Sequence, residues 1–338
     1  FFIVPTPSLP DGSFSNEFVM RAMQPMAQAF REARRTGHVF ICSSTTTPGA
    51  CRQVIIPMLE QQTGGTCGKD FGFCYNPEFI ALGDVIRGLL TPDLVLIGES
   101  DERTGDLLEG LYRQYNTNSP NIARMSVTSA ELTKISLNSY ITMKISFTNQ
   151  LRMLAEQYAD ADIHAILDAV GSDSRVGRKY LRSGLSYGGP CFPRDNRLVS
   201  YAARQVGSSA PLAEATDCVN ESTKQRIAQQ ALACVTPGDT VAVLGMAYRP
   251  GTWITEESAG LHIAQTLKRN GCRVLVHDYA ANPGNSPSLL EFEVIADLAQ
   301  LEKEQRVKAV IICCPWPEYQ GTFLPTSARI FDPWGVRS

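Results

Sequence analysis

The chain has 338 residues, 43% hydrophobic and 19% charged, with a formal net charge of -3. That balance fits a globular protein of two or three domains and offers no basic surface for nucleic acid or a membrane. No apolar run approaches the ~20 residues of a membrane span. The opening Phe1-Phe2-Ile3-Val4-Pro5 is too short for a secretory leader and lacks its basic flank. The ten cysteines are too sparse for a disulfide scaffold and show no zinc spacing, so they read as reduced thiols of a cytoplasmic protein. The four histidines are scattered, and no metal site is expected.

Residues 1–4 read as a buried strand, ended by Pro5-Thr6-Pro7 and not preceded by Met. A helix follows over about 16–35, then a strand at 39–42 with the exit loop Thr45-Thr46-Thr47-Pro48-Gly49. Another helix runs to about 61, and a strand at 71–75 ends in Asn76-Pro77-Glu78. Strands at 94–97 and 122–125 flank a helix over about 103–115. Strands alternating with helices predict a parallel α/β sheet. The sequence contains no Gly-x-Gly-x-x-Gly dinucleotide fingerprint, and Gly64-Gly65-Thr66-Cys67-Gly68-Lys69 lacks phosphate-loop spacing and reads as a turn.

A long helical stretch over about 128–158 would span roughly 45 Å. Within it Lys134 and Asn138 are four residues apart and share a face. Taken alone, Lys134 reads as a solvated surface charge. A helix over 162–170 precedes the stretch around Cys191, and two more helices reach about 235. Pro237-Gly238-Asp239 marks a boundary, after which strands at 240–244, 273–276, 310–313 and 330–332 and a helix over 261–269 form a second α/β unit.

The chemistry-bearing stretch is Gly184-Leu185-Ser186-Tyr187-Gly188-Gly189-Pro190-Cys191-Phe192-Pro193-Arg194-Asp195. Gly188 and Gly189 carry no side chains, which would let a ligand approach the backbone. Pro193 and Asp195 suit a first helical turn, so Cys191 falls just before a helix N-terminus with Arg194 close by. Such a setting favours a thiolate, whereas most free cysteines are inert buried residues.

The run Gly188-Gly189-Pro190-Cys191-Phe192-Pro193-Arg194-Asp195 resembles the nucleophile segment of the UDP-glucose/GDP-mannose dehydrogenase family: Gly-Gly, a small residue, Cys, two residues, Lys or Arg, Asp. The resemblance covers nearly the whole chain. Glu131-Leu132-x-Lys134-x-x-x-Asn138 is similar to the family's active-site helix, and Asp173-Ser174-Arg175-Val176-Gly177 to its Asp-x-Arg-Ile-Gly segment. Gly245-Met246-Ala247-Tyr248-Arg249 resembles its Gly-x-x-x-Lys loop, with Arg for Lys. The resemblance implies an α/β fold with two Rossmann-like parallel-sheet domains joined by a central helical domain with one long helix. The expected divisions are 1–126 for the remainder of an NAD-binding domain, 127–235 for a central dimerisation and catalytic domain, and 236–338 for a UDP-binding domain. Family members carry the glycine fingerprint upstream of their equivalent of residues 4–7. A first βαβ portion, of order 30 residues or more, is therefore expected to be missing from this sequence.

The resemblance also implies an activity: oxidation of a nucleotide-sugar 6-hydroxymethyl to a carboxylate with two NAD, for polysaccharide biosynthesis. Cys191 would be the nucleophile, Lys134 and Asn138 oxyanion donors, Asp195 a proton acceptor, and Glu78 an activator of the hydrolytic water. Tyr187, Gly188, Gly189, Arg249 and Arg175 would bind the substrate; Pro5, Thr6 and Thr46 would face NAD, with Glu78 and Cys191. No metal is implied. The long helix implies a homodimer in which Arg175 reaches the partner's sugar. Two positions depart from the family: Leu82 stands where a second Glu is common, and Glu256 where an Arg approaches the cofactor. An acid there would repel a pyrophosphate. UDP-glucose is the leading substrate, in the branch suggested by Phe192-Pro193-Arg194-Asp195. The alternatives are a GDP-mannose or UDP-N-acetylhexosamine 6-dehydrogenase, or a non-catalytic nucleotide-sugar-binding paralogue.

Overall fold

The computed structural model describes residues 1–79, 83–304, 306–322 and 324–337. The chain divides into two compact units, one of residues 1–138 and 197–210, the other of 139–196 and 211–338.

The first unit holds α1 (Glu17–Glu32), β1 (His38–Cys42), a π-helical turn (Cys51–Ile55) running into α2 (Ile56–Thr63), β2 (Phe71–Tyr75) and α3 (Val85–Leu90). It continues with β3 (Leu94–Glu99), α4 (Glu102–Tyr115), β4 (Asn121–Ser126) and the first turns of α5 (Val127–Ala155). The sheet order is β1-β2-β3-β4. The strands alternate faces as a period of two requires. Phe40, Phe71, Phe73 and Leu96 pack with Val19, Met23, Ala27 and Phe30 of α1, while Ile41, Cys74, Val95 and Ile97 pack with Leu108 and Tyr112 of α4.

Two features of this sheet correct the sequence reading. The pairs β1–β2 and β3–β4 are parallel, but β2 and β3 run antiparallel through Cys74–Glu99 and Tyr75–Gly98. A parallel return needs a crossover helix packed on the sheet, and α3, in the intervening connection, buries no residue. Residues 1–4 do not form a strand. Phe2 alone bridges β1, donating to Ile41 O at 2.8 Å and accepting from Ser43 N at 2.9 Å, while Phe1 and Ile3 are exposed. Pairing stops there because the Ser44 hydroxyl takes both backbone groups of Val4, accepting from N at 2.8 Å and donating to O at 2.7 Å. Pro5 then has no amide to offer.

The second unit holds the rest of α5, α6 (Ile163–Ser172), the start of α7 (Phe192–Gln205) and α8 (Pro211–Leu232). Its α/β part runs β5 (Thr240–Leu244), α9 (Ala259–Arg269), β6 (Arg273–His277), β7 (Glu293–Val294), α10 (Ala299–Lys303), β8 (Val307–Ile312) and β9 (Arg329–Phe331). All pairings in this sheet are parallel, in the order β7-β6-β5-β8-β9. That is the doubly wound arrangement, with its switch point between β5 and β8. Val241 and Val243 pack with Ile227 and Ile263 on one face; Ala242 and Leu244 pack with Leu301 and Tyr319 on the other. A Cβ on Gly260 would lie 2.2 Å from the carbonyl oxygen of Gly245, so glycine there lets α9 approach the end of β5.

The α5 helix departs from the usual amphipathic pattern, burying polar residues beside Val127, Ala130 and Ile135. Glu131, Lys134, Asn138, Thr142, Ser146 and Asn149 are buried, whereas Leu132, Leu137, Tyr140, Phe147 and Leu154 are exposed.

Candidate active site

In the second unit, residues 184–191 lie outside regular secondary structure and lead into α7 at Phe192. The Asn149 side chain bridges two of their backbone groups, Oδ1 accepting from Gly184 N at 2.9 Å and Nδ2 donating to Leu185 O at 3.0 Å. Asn220 does the same to Tyr187, accepting from its N at 2.9 Å and donating to its O at 3.1 Å. The Tyr187 hydroxyl donates to Asp217 at 2.9 Å. Gly189, at φ +82°, donates its amide to Glu256 O at 2.9 Å.

The two glycines act differently from the sequence expectation. A Cβ on Gly188 would lie 2.4 Å from Glu257 O, and one on Gly189 would lie 2.6 Å from the Tyr248 ring. The close approach is therefore made by the chain's own 248–257 loop, and the absence of side chains serves that packing. Burial pushes the Tyr248 phenol above its ordinary value; Arg249 opposes this and nearby Cys191 adds to it.

Cys191 is exposed and directly precedes α7, its carbonyl accepting the amide of buried Asp195 at 2.9 Å. Cys218 is the other exposed cysteine. Cys74 is buried beneath α4, and burial pushes its thiol up to about 12. Burial also raises the thiols of Cys67 and Cys272.

The first unit carries the other predicted residues. Lys134 is only 5% exposed, against its reading as a solvated charge: Nζ donates to the backbone carbonyl of Glu78 at 2.6 Å and lies 4.6 Å from the centroid of the Phe79 ring. Asn138, one turn on, is also buried. Burial holds the Glu78 carboxyl above the usual carboxylate range, and Lys134 partly offsets that. Thr6 is buried and Pro5 exposed. Thr46 is buried after β1, and its hydroxyl donates to Glu131 at 3.0 Å. Glu131 also accepts from Gly49 N at 2.7 Å and Cys51 N at 2.9 Å, the start of the π-helical turn. A carboxylate suits a helix N-terminus.

Sequence models of three segments match the chain: the NAD binding domain of the UDP-glucose/GDP-mannose dehydrogenase family over residues 1–116, its central domain over 128–222, and its UDP binding domain over 242–336. The chain belongs to the UDP-glucose/GDP-mannose dehydrogenase family. It is 29% identical over 325 residues to a UDP-glucose 6-dehydrogenase of Haloferax volcanii, covering 94% of this chain and 74% of that one. It is 30% identical over 302 residues to a GDP-mannose 6-dehydrogenase of Pseudomonas aeruginosa, covering 87% and 67%. The solved UDP-glucose dehydrogenase of Pyrobaculum islandicum superposes with a TM-score of 0.89 at 30% identity, covering 98% of this chain and 75% of that chain.

Members of the UDP-glucose/GDP-mannose dehydrogenase family are NAD-dependent nucleotide-sugar 6-dehydrogenases, and NAD is the cofactor. The residues at the carboxyl end of β1 fit such a group. Ser43 directly follows that strand, and its hydroxyl is buried with no hydrogen-bond partner among the described residues. The carboxyl ends of strands are where α/β sheets take ligands.

The remaining predicted residues of this family member lie in the second unit. Arg175 has an 87% exposed side chain, paired with Asp173 at 2.7 Å. Arg249 is half-buried, and its Nε donates to Pro250 O at 3.3 Å. Glu256 is exposed. Leu82 lies outside the described residues. No helix among the described residues is long and apolar enough to cross a membrane, and no metal-ligating cluster occurs among them. Sequence reasoning missed Asn149, Asp217 and Asn220, and it gave Glu131 no role of its own. Asn149 could have been found, being three turns beyond Asn138 on the same helix face. Asn220 and Asp217 carry no comparable signal.

Proposed function

We propose that the chain oxidises UDP-glucose to UDP-glucuronate with two NAD, through a thiohemiacetal and then a thioester on Cys191. The observation carrying this reading is an exposed thiol directly ahead of α7 on a pinned glycine turn, in a chain matching a UDP binding domain over 242–336. When bound, NAD supplies the hydride acceptor for both oxidations.

An aldehyde at C6 has no second hydride to give until a nucleophile adds. The Cys191 sulfur donates an electron pair to the carbonyl carbon, and the C=O pair moves to oxygen. Lys134 and Asn138 are the proposed donors to that developing oxyanion, and Asp195 accepts a proton through water. Glu78 activates the water that attacks the thioester; the C–S bond breaks and the thiolate returns. Its raised carboxyl is suited to exchanging a proton closer to neutrality than an ordinary glutamate. Overall, one alcohol, two NAD⁺ and one water give one carboxylate, two NADH and three protons. Tyr187 and Arg249 are the proposed substrate-side residues, and Pro5, Thr6 and Thr46 the proposed cofactor-side ones.

The three matched segments support a division near 126 and 235. The exposed apolar side chains of α5 support a homodimer, with Arg175 completing the partner's site. Ten cysteines present as thiols support a reducing, cytoplasmic setting, and a nucleotide uronic acid suits polysaccharide biosynthesis.

The 30% identity to a GDP-mannose 6-dehydrogenase favours that substrate as the second reading. The test is NADH formation with UDP-glucose, GDP-mannose and UDP-N-acetylhexosamines. UDP-glucose should give the highest kcat/KM, with two NADH per sugar. Turnover of GDP-mannose alone would overturn the substrate, one NADH with released aldehyde would overturn the thioester route, and binding without NADH would mark a non-catalytic paralogue.

A further inference from the structure

Residues 184–189 precede the thiol and form no helix or strand, so regular pairing holds none of their backbone. Three glycines lie among them, the residue type with most conformational freedom to lose. What holds this segment is a pair of buried asparagines. Asn149 of α5 is 2% exposed and Asn220 of α8 is 5% exposed. Each presents a donor and an acceptor to the backbone, as a neighbouring strand would. Asn149 bridges Gly184 N and Leu185 O; Asn220 bridges N and O of Tyr187, four residues before Cys191.

The frame bearing these clamps is itself tied together. Ser146 on α5 donates to Thr216 O on α8 at 3.0 Å, one turn before Asn220. Asp217, also on α8, takes the Tyr187 hydroxyl. Beyond Tyr187 the turn is held by Gly189 N on Glu256 O and by the Tyr248 ring. The thiol thus follows a segment fixed at 184–185, 187 and 189. A reacting group must be placed to within a fraction of an ångström, and a 1 Å error can cost about 100-fold in rate.

We infer that Asn149 and Asn220 are positioning residues for the Cys191 thiol, acting through the backbone of residues 184–187. The inference rests on Cys191 as the nucleophile. Losing either amide leaves buried backbone groups unsatisfied, and the segment relaxes. The Tyr187 side chain keeps its own bond to Asp217, so the loss falls mainly on kcat.

The test compares Asn149→Ala, Asn220→Ala and Asn220→Asp with the unmodified chain. It measures nucleotide-sugar turnover with NAD and hydrogen exchange at the amides of 184–189. The alanine variants should lose exchange protection across that segment and about 10- to 100-fold in kcat, with KM changed less than about threefold. Asn220→Asp guards against misfolding of the alanine variants and adds a pH signature. Its carboxylate keeps the acceptor for Tyr187 N but opposes Tyr187 O. Its protonated form restores both bonds, so its kcat relative to the unmodified chain should rise as pH falls. Unchanged kcat in folded alanine variants, or a pH-independent ratio for Asn220→Asp, would overturn the inference. Cys191→Ser, run in parallel, separates the two ideas. Full activity in that variant would reject the nucleophile, while the exchange data still report whether the clamps hold the segment.

Discussion

The Lys134 ammonium donates to the backbone carbonyl of Glu78 across a 2.6 Å bond, so a buried cation and a half-buried acid meet through the main chain. Lys134 opposes the upward push that burial exerts on the Glu78 carboxyl. Replacing Lys134 with Met should therefore raise that carboxyl further. If Lys134 also donates to the oxyanion, kcat should fall by about 100- to 1000-fold. A pH–rate profile checks both effects: the acid limb should move to higher pH as the plateau drops. An unmoved acid limb would show that Glu78 does not set it.

The same acid makes a prediction about stability. The folded carboxyl of Glu78 lies above its value of 4.5 in an unfolded chain. Its stabilising contribution is therefore fully present below the unfolded value and is lost as pH rises through the folded one. Glu78→Gln removes the titration, so the variant should gain stability relative to the unmodified chain as pH rises above the unfolded value of 4.5. Urea midpoints measured across that range should show a difference that grows in favour of the variant; a constant difference contradicts it.

Limiting iodoacetamide should label Cys191 and Cys218 before the other eight cysteines, because these two are exposed. Inactivation should follow Cys191 alone. A Cys218→Ser chain should be inactivated at the same rate, and Cys191→Ser should bind nucleotide sugar without forming the acid. Peptide mapping against residual activity decides the matter, and inactivation that tracks Cys218 would reverse the assignment.

Gly189→Ala should be severe, since a Cβ there meets the Tyr248 ring at 2.6 Å and the residue sits at φ +82°. A loss on the order of 2–3 kcal/mol in denaturant stability is expected, together with reduced turnover. Adding Tyr248→Ala removes the clash but leaves the backbone strain, so the double variant should recover only part of the stability. Full recovery would mean that φ contributes nothing.

The proposed homodimer is testable by complementation. Arg175→Ala and Cys191→Ser chains, each inactive alone, should regain partial activity when mixed, because one site of each mixed dimer carries neither defect. Arg175 is exposed and ion-paired with its near neighbour Asp173, so its truncation should leave the fold unchanged. Phe147→Asp, on the exposed face of α5, should shift the sedimentation profile towards monomer. Failure to complement, with subunit exchange verified, would place the role of Arg175 in its own chain.

The second sheet was legible because its strands are short and apolar and lie between turn residues: β5 falls at 240–244, as its sequence predicts. The direction of β3 was not, since no local pattern encodes which way a strand returns; it depended on α3 failing to pack. The polar residues of α5 were visible as letters, but an apolar-rich helix gives no sign of which face is covered. Cys191, Lys134 and Asn138 stood out through their motifs. Asn149 shared the Asn138 face, but its clamp on Gly184 and Leu185, like that of Asn220 on Tyr187, is a long-range pairing that spacing alone does not reveal. Gly188 and Gly189 were legible as glycines, yet what presses on them comes from a loop about 60 residues away.

The two sheets share one further economy. After β1, Glu131 occupies the amides of Gly49 and Cys51; after β5, Asp278 accepts from Met246 N at 2.8 Å and Ala247 N at 2.9 Å. The other Asp278 oxygen takes Ala280 N and Ala281 N. Exposed amides in such turns are ready seats for phosphate. Here each seat is already taken by a carboxylate the chain carries itself. A nucleotide can use those six amides only by evicting an internal anion, so its phosphates must be met by other groups.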